Sequence, residues 1–304
     1  MRIGTRASKL ALIQAAEIKN LLLKNTSLTE DQIEIVTITT SGDKIQDRNL
    51  AEIGGKGLFI KELEEALLAN KIDIAIHSAK DVPPIVHEAT IIAAFTARKD
   101  PRDYFISQKF NSIDELPNHA AIGTSSARRK AILLRLRPDL NVVNFRGNVE
   151  TRLGKLADGK VDATVLATCG LDRLQKEIAA KNIIPLETML PAAGQGALAI
   201  QIRAKDSISN NLVRKINDEE SESCVATERA FLRELGASCK TPVAAYCKRE
   251  GDVLNLRTII FDFDGSEIFA TENSGKINDG ENLALKAAEE TKLQAAKLLA
   301  KICY

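Results

Sequence analysis

Ala121-Ile122-Gly123-Thr124-Ser125-Ser126-Ala127-Arg128-Arg129 repeats the apolar strand-like start, Gly-Thr turn and polar, basic continuation of Ile3-Gly4-Thr5-Arg6-Ala7-Ser8. The repeat extends downstream, where Val161-Asp162-Ala163-Thr164-Val165-Leu166-Ala167 echoes Ile72-Asp73-Ile74-Ala75-Ile76. Two elements recurring in the same order predict two similar α/β lobes, with ligands settling in a cleft at the strand ends. In the first lobe, apolar positions from Ser8 to Lys24 have helical spacing, and Ile33–Ile38 alternates as a strand does. Leu58 to Ala69 pairs charges with leucines on a second helix, and Asp73–His77 is a short apolar strand.

The charged, proline-bearing stretch Arg98-Lys99-Asp100-Pro101-Arg102-Asp103 reads as a connection to the second lobe. The small residues of Pro191–Ile200 suit a tight crossing and a strand that returns to the first lobe, which makes two crossovers. From Glu219 the pattern changes to a helix, hairpins at Gly251-Asp252 and Asp264-Gly265, and an alanine-rich helix from Leu283 to Leu299. The expected organisation is α/β, with residues 1–97 and 197–214 as lobe 1, 102–191 as lobe 2, and 219–304 as a smaller α+β domain.

The chain has 304 residues, 44% hydrophobic and 27% charged, enough to fill cores in two or three domains. Its 42 Lys and Arg balance 41 Asp and Glu, so attraction for anions must come from where the cations sit. Five cysteines without CxxC spacing and three histidines without a ligand motif indicate neither a disulfide framework nor a zinc site, and no metal is expected. The N-terminus carries no signal pattern and no apolar run reaches membrane-spanning length, so a cytoplasmic protein is expected, with neither membrane nor nucleic acid as partner.

Between residues 121 and 160 stand nine Lys or Arg and three acids. Arg128 and Arg129 start a helix after Gly123-Thr124-Ser125-Ser126, so cations, hydroxyls and unpaired backbone N–H groups can converge on an anion. Arg146-Gly147-Asn148 with Arg152 forms a second cluster, and Arg6 with Ser8 a third. Guanidinium groups match carboxylates bidentately, so a cargo of several carboxylates is expected. The alternative for Arg128-Arg129 is a solvated helix face. Ser78-Ala79-Lys80-Asp81-Val82-Pro83-Pro84 places a base and an acid in a stiffened turn after a strand, where Asp81 either handles a proton or caps structure. Cys239 lies in a loop beside Lys240, which favours the thiolate, whereas Cys224 and Cys247 read as buried small hydrophobes. Gly54-Gly55-Lys56-Gly57 fits no phosphate-loop pattern.

Together TRASKLAL (5–12), GGKGLFIKELEEALL (54–68), DIAIHSAKDVPP (73–84), RKDPRD (98–103), IGTSSARR (122–129), FRGNVETRL (145–153), LATCGLDRL (166–174), PAAGQGALAI (191–200) and ERAFLRELGASCKTPVAAY (228–246) resemble the porphobilinogen deaminase (hydroxymethylbilane synthase) family in collinear order. The resemblance implies two periplasmic-binding-protein-like lobes joined by two crossovers plus an α+β domain. It implies a monomer of heme and tetrapyrrole biosynthesis with a dipyrromethane cofactor on Cys239 through a thioether. Four porphobilinogens would be joined head to tail through linear oligopyrrole intermediates, each releasing ammonia, before hydrolysis frees hydroxymethylbilane.

By the same resemblance, Asp81 is the catalytic carboxylate. Lys80, Thr124, Ser125, Ser126, Arg128, Arg129 and Arg146 bind cofactor. Arg6, Ser8, Lys56, Phe59, Arg152 and Arg173 bind substrate, with Lys56 and Phe59 in a glycine-rich active-site loop. Three positions depart from the family pattern: Ala237-Ser238 replaces Gly-Gly before the cysteine, Glu52 replaces a common Lys, and Cys169 a frequent Ala. Two other classes compete. A solute-binding protein would need neither Cys239 nor Asp81, and a nucleic-acid module would need aromatic interleaving that a chain with no Trp and three Tyr lacks.

Overall fold

The computed structural model describes residues 1–40, 60–238 and 240–302. The chain divides into two compact units, Met1–Lys99 with Ala197–Glu222, and Asp100–Gly196 with Ser223–Tyr304. No helix among the described residues is long and apolar enough to cross a membrane.

In the first unit, β1 (Arg2–Arg6) pairs in parallel with β2 (Glu34–Ile38) and β3 (Ile74–Ser78). The five-stranded order is β2-β1-β3-β9-β4, completed by β4 (Thr90–Phe95) and β9 (Leu198–Arg203). Side chains alternate across β3: Ile74 and Ile76 pack with Ile18 and Leu22 of the helix Lys9–Asn25, while Ala75 packs with Leu63 and Leu67 of the helix Lys61–Leu68. Helices thus cover both faces, as parallel pairing requires. Ser8 caps the first helix by accepting from Ala11 N at 3.3 Å. The return crossing suggested by Pro191–Ile200 delivers β9 into this sheet, antiparallel to both β3 and β4.

The second unit repeats the wiring. β6 (Ala121–Gly123) pairs in parallel with β7 (Asn141–Val143) and β8 (Ala163–Ala167), and β5 (Asp103–Ser107) runs antiparallel beside β8. The alternation of strands and helices does not predict β5, whereas β9 is the returning strand expected in Pro191–Ile200. Each is the first strand after a crossing segment and joins the sheet it enters from the edge of the last parallel strand. Asp103, read from its charge as part of the connection, is instead the first residue of β5 and fully buried.

The helix Glu219–Leu235 leads to a meander of β10 (Val243–Glu250), β11 (Val253–Phe261) and β12 (Ile268–Lys276). Its core continues into lobe 2, since Ala244 and Phe261 pack in the same cluster as Ile122, Ile132 and Leu133. At the second hairpin, Gly265 has φ +75° and a Cβ there would lie 2.1 Å from the Ala131 carbonyl oxygen. The expected terminal helix is two helices, Gly280–Gln294 and Ala296–Ile302, broken at Ala295.

Candidate active site

The parallel strands of the second unit end together, and most of the basic residues picked out from sequence follow those ends. At β6, the Gly123 carbonyl accepts from Thr164 Oγ1 at 2.7 Å, and Phe145 covers the glycine so closely that a Cβ would sit 2.5 Å from the ring. Thr124 is buried and its Oγ1 accepts from Ser126 N at 3.2 Å. Ser126 caps the helix Ala127–Leu136 by accepting from Arg129 N. Ser125 donates to Asn144 Oδ1 and accepts from Phe145 N at 3.0 Å, which fastens this turn to the one carrying Arg146. There Gly147 adopts φ +119°, and Asn148 caps the helix Val149–Ala157 with a 2.8 Å bond from Thr151 N. Arg152 Nε returns to the Gly147 carbonyl at 2.9 Å, while Arg146 and Arg152 keep part of their surface exposed.

Arg128 and Arg129 do not form the solvated face that was one reading of them; they are 4% and 5% exposed. Nor do they present open guanidinium groups. Arg129 Nη2 and Nε reach Asp103 Oδ1 at 2.6 and 3.2 Å, and its Nη1 reaches the Val165 carbonyl at 2.9 Å. Arg128 Nη2 donates to Asp103 Oδ2 at 2.8 Å and Nη1 to the Leu190 carbonyl at 2.7 Å. Burial alone would raise the Asp103 pKa, but the two guanidinium groups outweigh it and hold the carboxyl well below the ordinary range. For Arg128, burial is the larger effect and lowers its pKa despite Asp103. Two cations facing one carboxylate leave a single positive charge, at a helix start whose dipole is also positive. Among the described residues, Arg128 Nε is buried with no hydrogen-bond partner.

Arg173 closes the helix Thr168–Arg173 after β8, is 5% exposed, and donates from Nη1 to the Gly196 carbonyl at 3.3 Å.

The first unit carries the other sequence-predicted residues, again at strand ends. Arg6 ends β1 and Ser8 caps the following helix. Gln14 of that helix donates to Ser78 Oγ at 2.9 Å, tying it to the end of β3. The 3₁₀ turn Ala79–Asp81 follows, with Lys80 half-buried and Asp81 exposed. Asp81 makes no hydrogen bond or ion pair with a described residue.

Lys56, Phe59, Glu52 and Cys239 lie outside the described residues. The helix that leads to Cys239 is described. It ends with Gly236 N donating to the Arg233 carbonyl at 3.1 Å and Ala237 N to the Leu232 carbonyl at 2.9 Å, a Schellman closure with Gly236 at φ +70°. The left-handed position therefore falls on Gly236, and neither Ala237 nor Ser238 has positive φ. Cys169, Cys224 and Cys247 are buried thiols.

Sequence reasoning missed three buried polar residues here. Asp103 is one. Gln195 is fully buried in the crossing, and its Nε2 donates to the Pro101 carbonyl at 2.6 Å and to Asp103 Oδ1 at 3.0 Å. Glu228 is also fully buried and accepts from Gly194 N at 2.6 Å and Cys247 N at 2.7 Å. A signal was present for Gln195, the one long polar side chain in Pro191–Ile200.

Fold and site define a two-unit α/β protein with a C-terminal α+β region, in which basic and hydroxyl side chains follow the strand ends of the second unit. Residues 1–211 match the family model "Porphobilinogen deaminase, dipyromethane cofactor binding domain", and residues 222–292 match "Porphobilinogen deaminase, C-terminal domain". The porphobilinogen deaminase of Nitrobacter winogradskyi is 47% identical over 295 residues, covering 97% of this chain and 93% of that protein. That of Paracoccus denitrificans is also 47% identical, covering 97% and 94%. A periplasmic substrate-binding protein of an ABC transporter from Coxiella burnetii is 15% identical with a TM-score of 0.46, over 75% of this chain and 96% of that one. The chain belongs to the porphobilinogen deaminase (hydroxymethylbilane synthase) family, enzymes of tetrapyrrole biosynthesis.

Proposed function

We propose that this chain joins four porphobilinogens head to tail on a dipyrromethane held by a thioether to Cys239, releases ammonia at each addition, and yields hydroxymethylbilane by hydrolysis. The observation that carries the reading is the pairing of two chemistries on one chain: a buried cationic corner with a surplus positive charge, and an exposed carboxylate at Asp81.

The residues fit the cofactor. Each pyrrole bears an acetate and a propionate, and the second unit offers hydroxyls, guanidinium groups, a helix N-terminus and an orphaned Arg128 Nε, the donor set that carboxylates select. Lys80, Thr124, Ser125, Ser126, Arg128, Arg129 and Arg146 would hold the cofactor. Arg6, Ser8, Arg152 and Arg173 would take carboxylates of substrate and growing chain, with Lys56 and Phe59 assigned on sequence alone. Bound dipyrromethane supplies a free pyrrole α-carbon as the nucleophile for the first coupling.

Asp81 does the proton and charge handling. As ammonia leaves porphobilinogen with the C–N bonding pair, positive charge spreads into the pyrrole, and a carboxylate at its N–H stabilises that charge. The same carboxylate assists loss of the ring proton after coupling. Buried thiols at Cys169, Cys224 and Cys247 support a reducing, cytoplasmic setting, in which the chain acts as a monomer. The three-domain division at 1–97 with 197–214, 102–191 and 219–304 belongs to the same proposal.

The test is stoichiometric. Purified protein incubated with porphobilinogen should release four ammonia per hydroxymethylbilane, the latter read as porphyrin after cyclisation and oxidation. Binding of porphobilinogen without ammonia release would overturn the proposal in favour of a solute-binding protein.

A further inference from the structure

We infer that Asp103 and Gln195 are positioning residues for the cofactor's carboxylate site, acting through Arg128 and Arg129. The inference rests on the functional reading above and adds residues to which no role in that site has been given.

Arg128 and Arg129 are adjacent, almost wholly buried and in the first turn of a helix, where desolvation, mutual repulsion and the helix dipole all oppose two cations. Asp103 removes that conflict by taking one guanidinium on each carboxylate oxygen. The planar groups are thereby fixed in orientation, and the cluster keeps one positive charge for an anionic ligand instead of two. An Asp on a strand serves this better than a surface acid, because β5 is held along its length by β8.

Gln195 extends the arrangement. Its amide donates both to Asp103 and to the Pro101 carbonyl, so the carboxylate is gripped by the segment that enters lobe 2 and the segment that leaves it. One residue earlier, Gly194 N donates to Glu228 on the helix that leads to Cys239. A continuous set of hydrogen bonds, from Glu228 through Gly194-Gln195 to Asp103 and the arginines, therefore links the helix before the anchoring cysteine to the groups that receive the cofactor's carboxylates.

The test compares wild type, Asp103→Asn and Gln195→Met as full-length proteins prepared free of cofactor and then given porphobilinogen. The gain of two coupled pyrrole units on denatured protein is followed by intact mass against time, with thermal unfolding and circular dichroism as the fold control. Asp103→Asn should load at least about tenfold more slowly. Gln195→Met, which retains length and apolar packing, should load about threefold to tenfold more slowly with a native spectrum. Mature Gln195→Met should also show a raised KM for porphobilinogen with a smaller change in kcat, a split that general destabilisation would not produce.

Loading of Gln195→Met at the wild-type rate overturns the inference, even if Asp103→Asn fails to fold. Wild type that gains no mass overturns the functional reading, and the inference with it. Wild type that loads beside variants that load equally well overturns the inference alone.

Discussion

The same strand–turn–helix is used twice in this chain, and the two copies treat charge in opposite ways. In the first, β1 runs through Gly4-Thr5-Arg6-Ala7 to the cap at Ser8, and Thr5 Oγ1 donates to the Ala11 carbonyl at 3.0 Å. In the second, β6 leads through Gly123-Thr124-Ser125 to the cap at Ser126, one residue sooner. The first copy has Lys9 and Leu10 after its cap. The second has Ala127 followed by two arginines that turn inward to a buried acid. The contrast recurs in the carboxylates: Asp81 after β3 is exposed and open, while Asp103 at the start of β5 is fully buried and occupied. A duplicated scaffold thus leaves one acid exposed after a strand and buries the other between two arginines.

The sharpest way to break this contrast is to remove each acid in turn. Asp81→Ala should lower turnover by about 10²–10⁴-fold while changing stability by less than about 0.5 kcal/mol, checked by initial rates and urea unfolding. Near-wild-type turnover would end its assigned role. Asp103→Ala should do the reverse in stability, costing about 3–5 kcal/mol because two buried guanidinium groups lose their counter-charge.

The pH dependence follows from the sign of the Asp103 shift. Its folded pKa lies below the unfolded value, so its contribution to stability is present above about pH 4 and is lost as pH falls from there toward the folded value. The stability gap between wild type and Asp103→Asn should therefore be flat from pH 5 to pH 8 and shrink below about pH 4. A gap that is unchanged at pH 3 would contradict the buried ion pairs.

A smaller effect separates two glycines of the second unit. Gly123→Ala forces a methyl group against Phe145 and should cost about 1–3 kcal/mol, whereas Gly154→Ala, in a helix with nothing within 4 Å of the new Cβ, should stabilise by about 0.5–1 kcal/mol. The smallest difference expected is between the caps. Ser8→Ala and Ser126→Ala should each cost about 1 kcal/mol in chemical denaturation, and only Ser126→Ala should also slow cofactor loading.

Much of this was legible in the chain because it was local. The caps at Ser8 and Ser126, the alternation in Ile74-Ala75-Ile76, the return crossing and the hairpin turns are each written within a few consecutive residues. The collinear order of the motifs from residue 5 to residue 246 likewise points to the family. What stayed hidden depended on partners distant in sequence. The charge of Asp103 suggested a surface connection, and only the approach of residues 128 and 129, 25 and 26 positions later, turns it into a buried acceptor. Gln195 and Glu228 were obscured in the same way, since their acceptors and donors come from segments that local composition does not join. The break at Ala295 was masked for a different reason. Thr291, Ala295, Leu298 and Ile302 continue the spacing of Leu283, Ala284, Ala287 and Ala288, so the apolar pattern runs on where the helix stops.

The central claim is that a cargo rich in carboxylates is anchored covalently at Cys239 and received by the second unit. Intact mass of the freshly purified, denatured wild-type protein, followed by peptide mapping, tests it most directly. The account predicts an excess equal to two coupled porphobilinogen units, carried by the peptide containing Cys239. An unmodified chain that stays unmodified after incubation with porphobilinogen, or an adduct mapped to another residue, would contradict it.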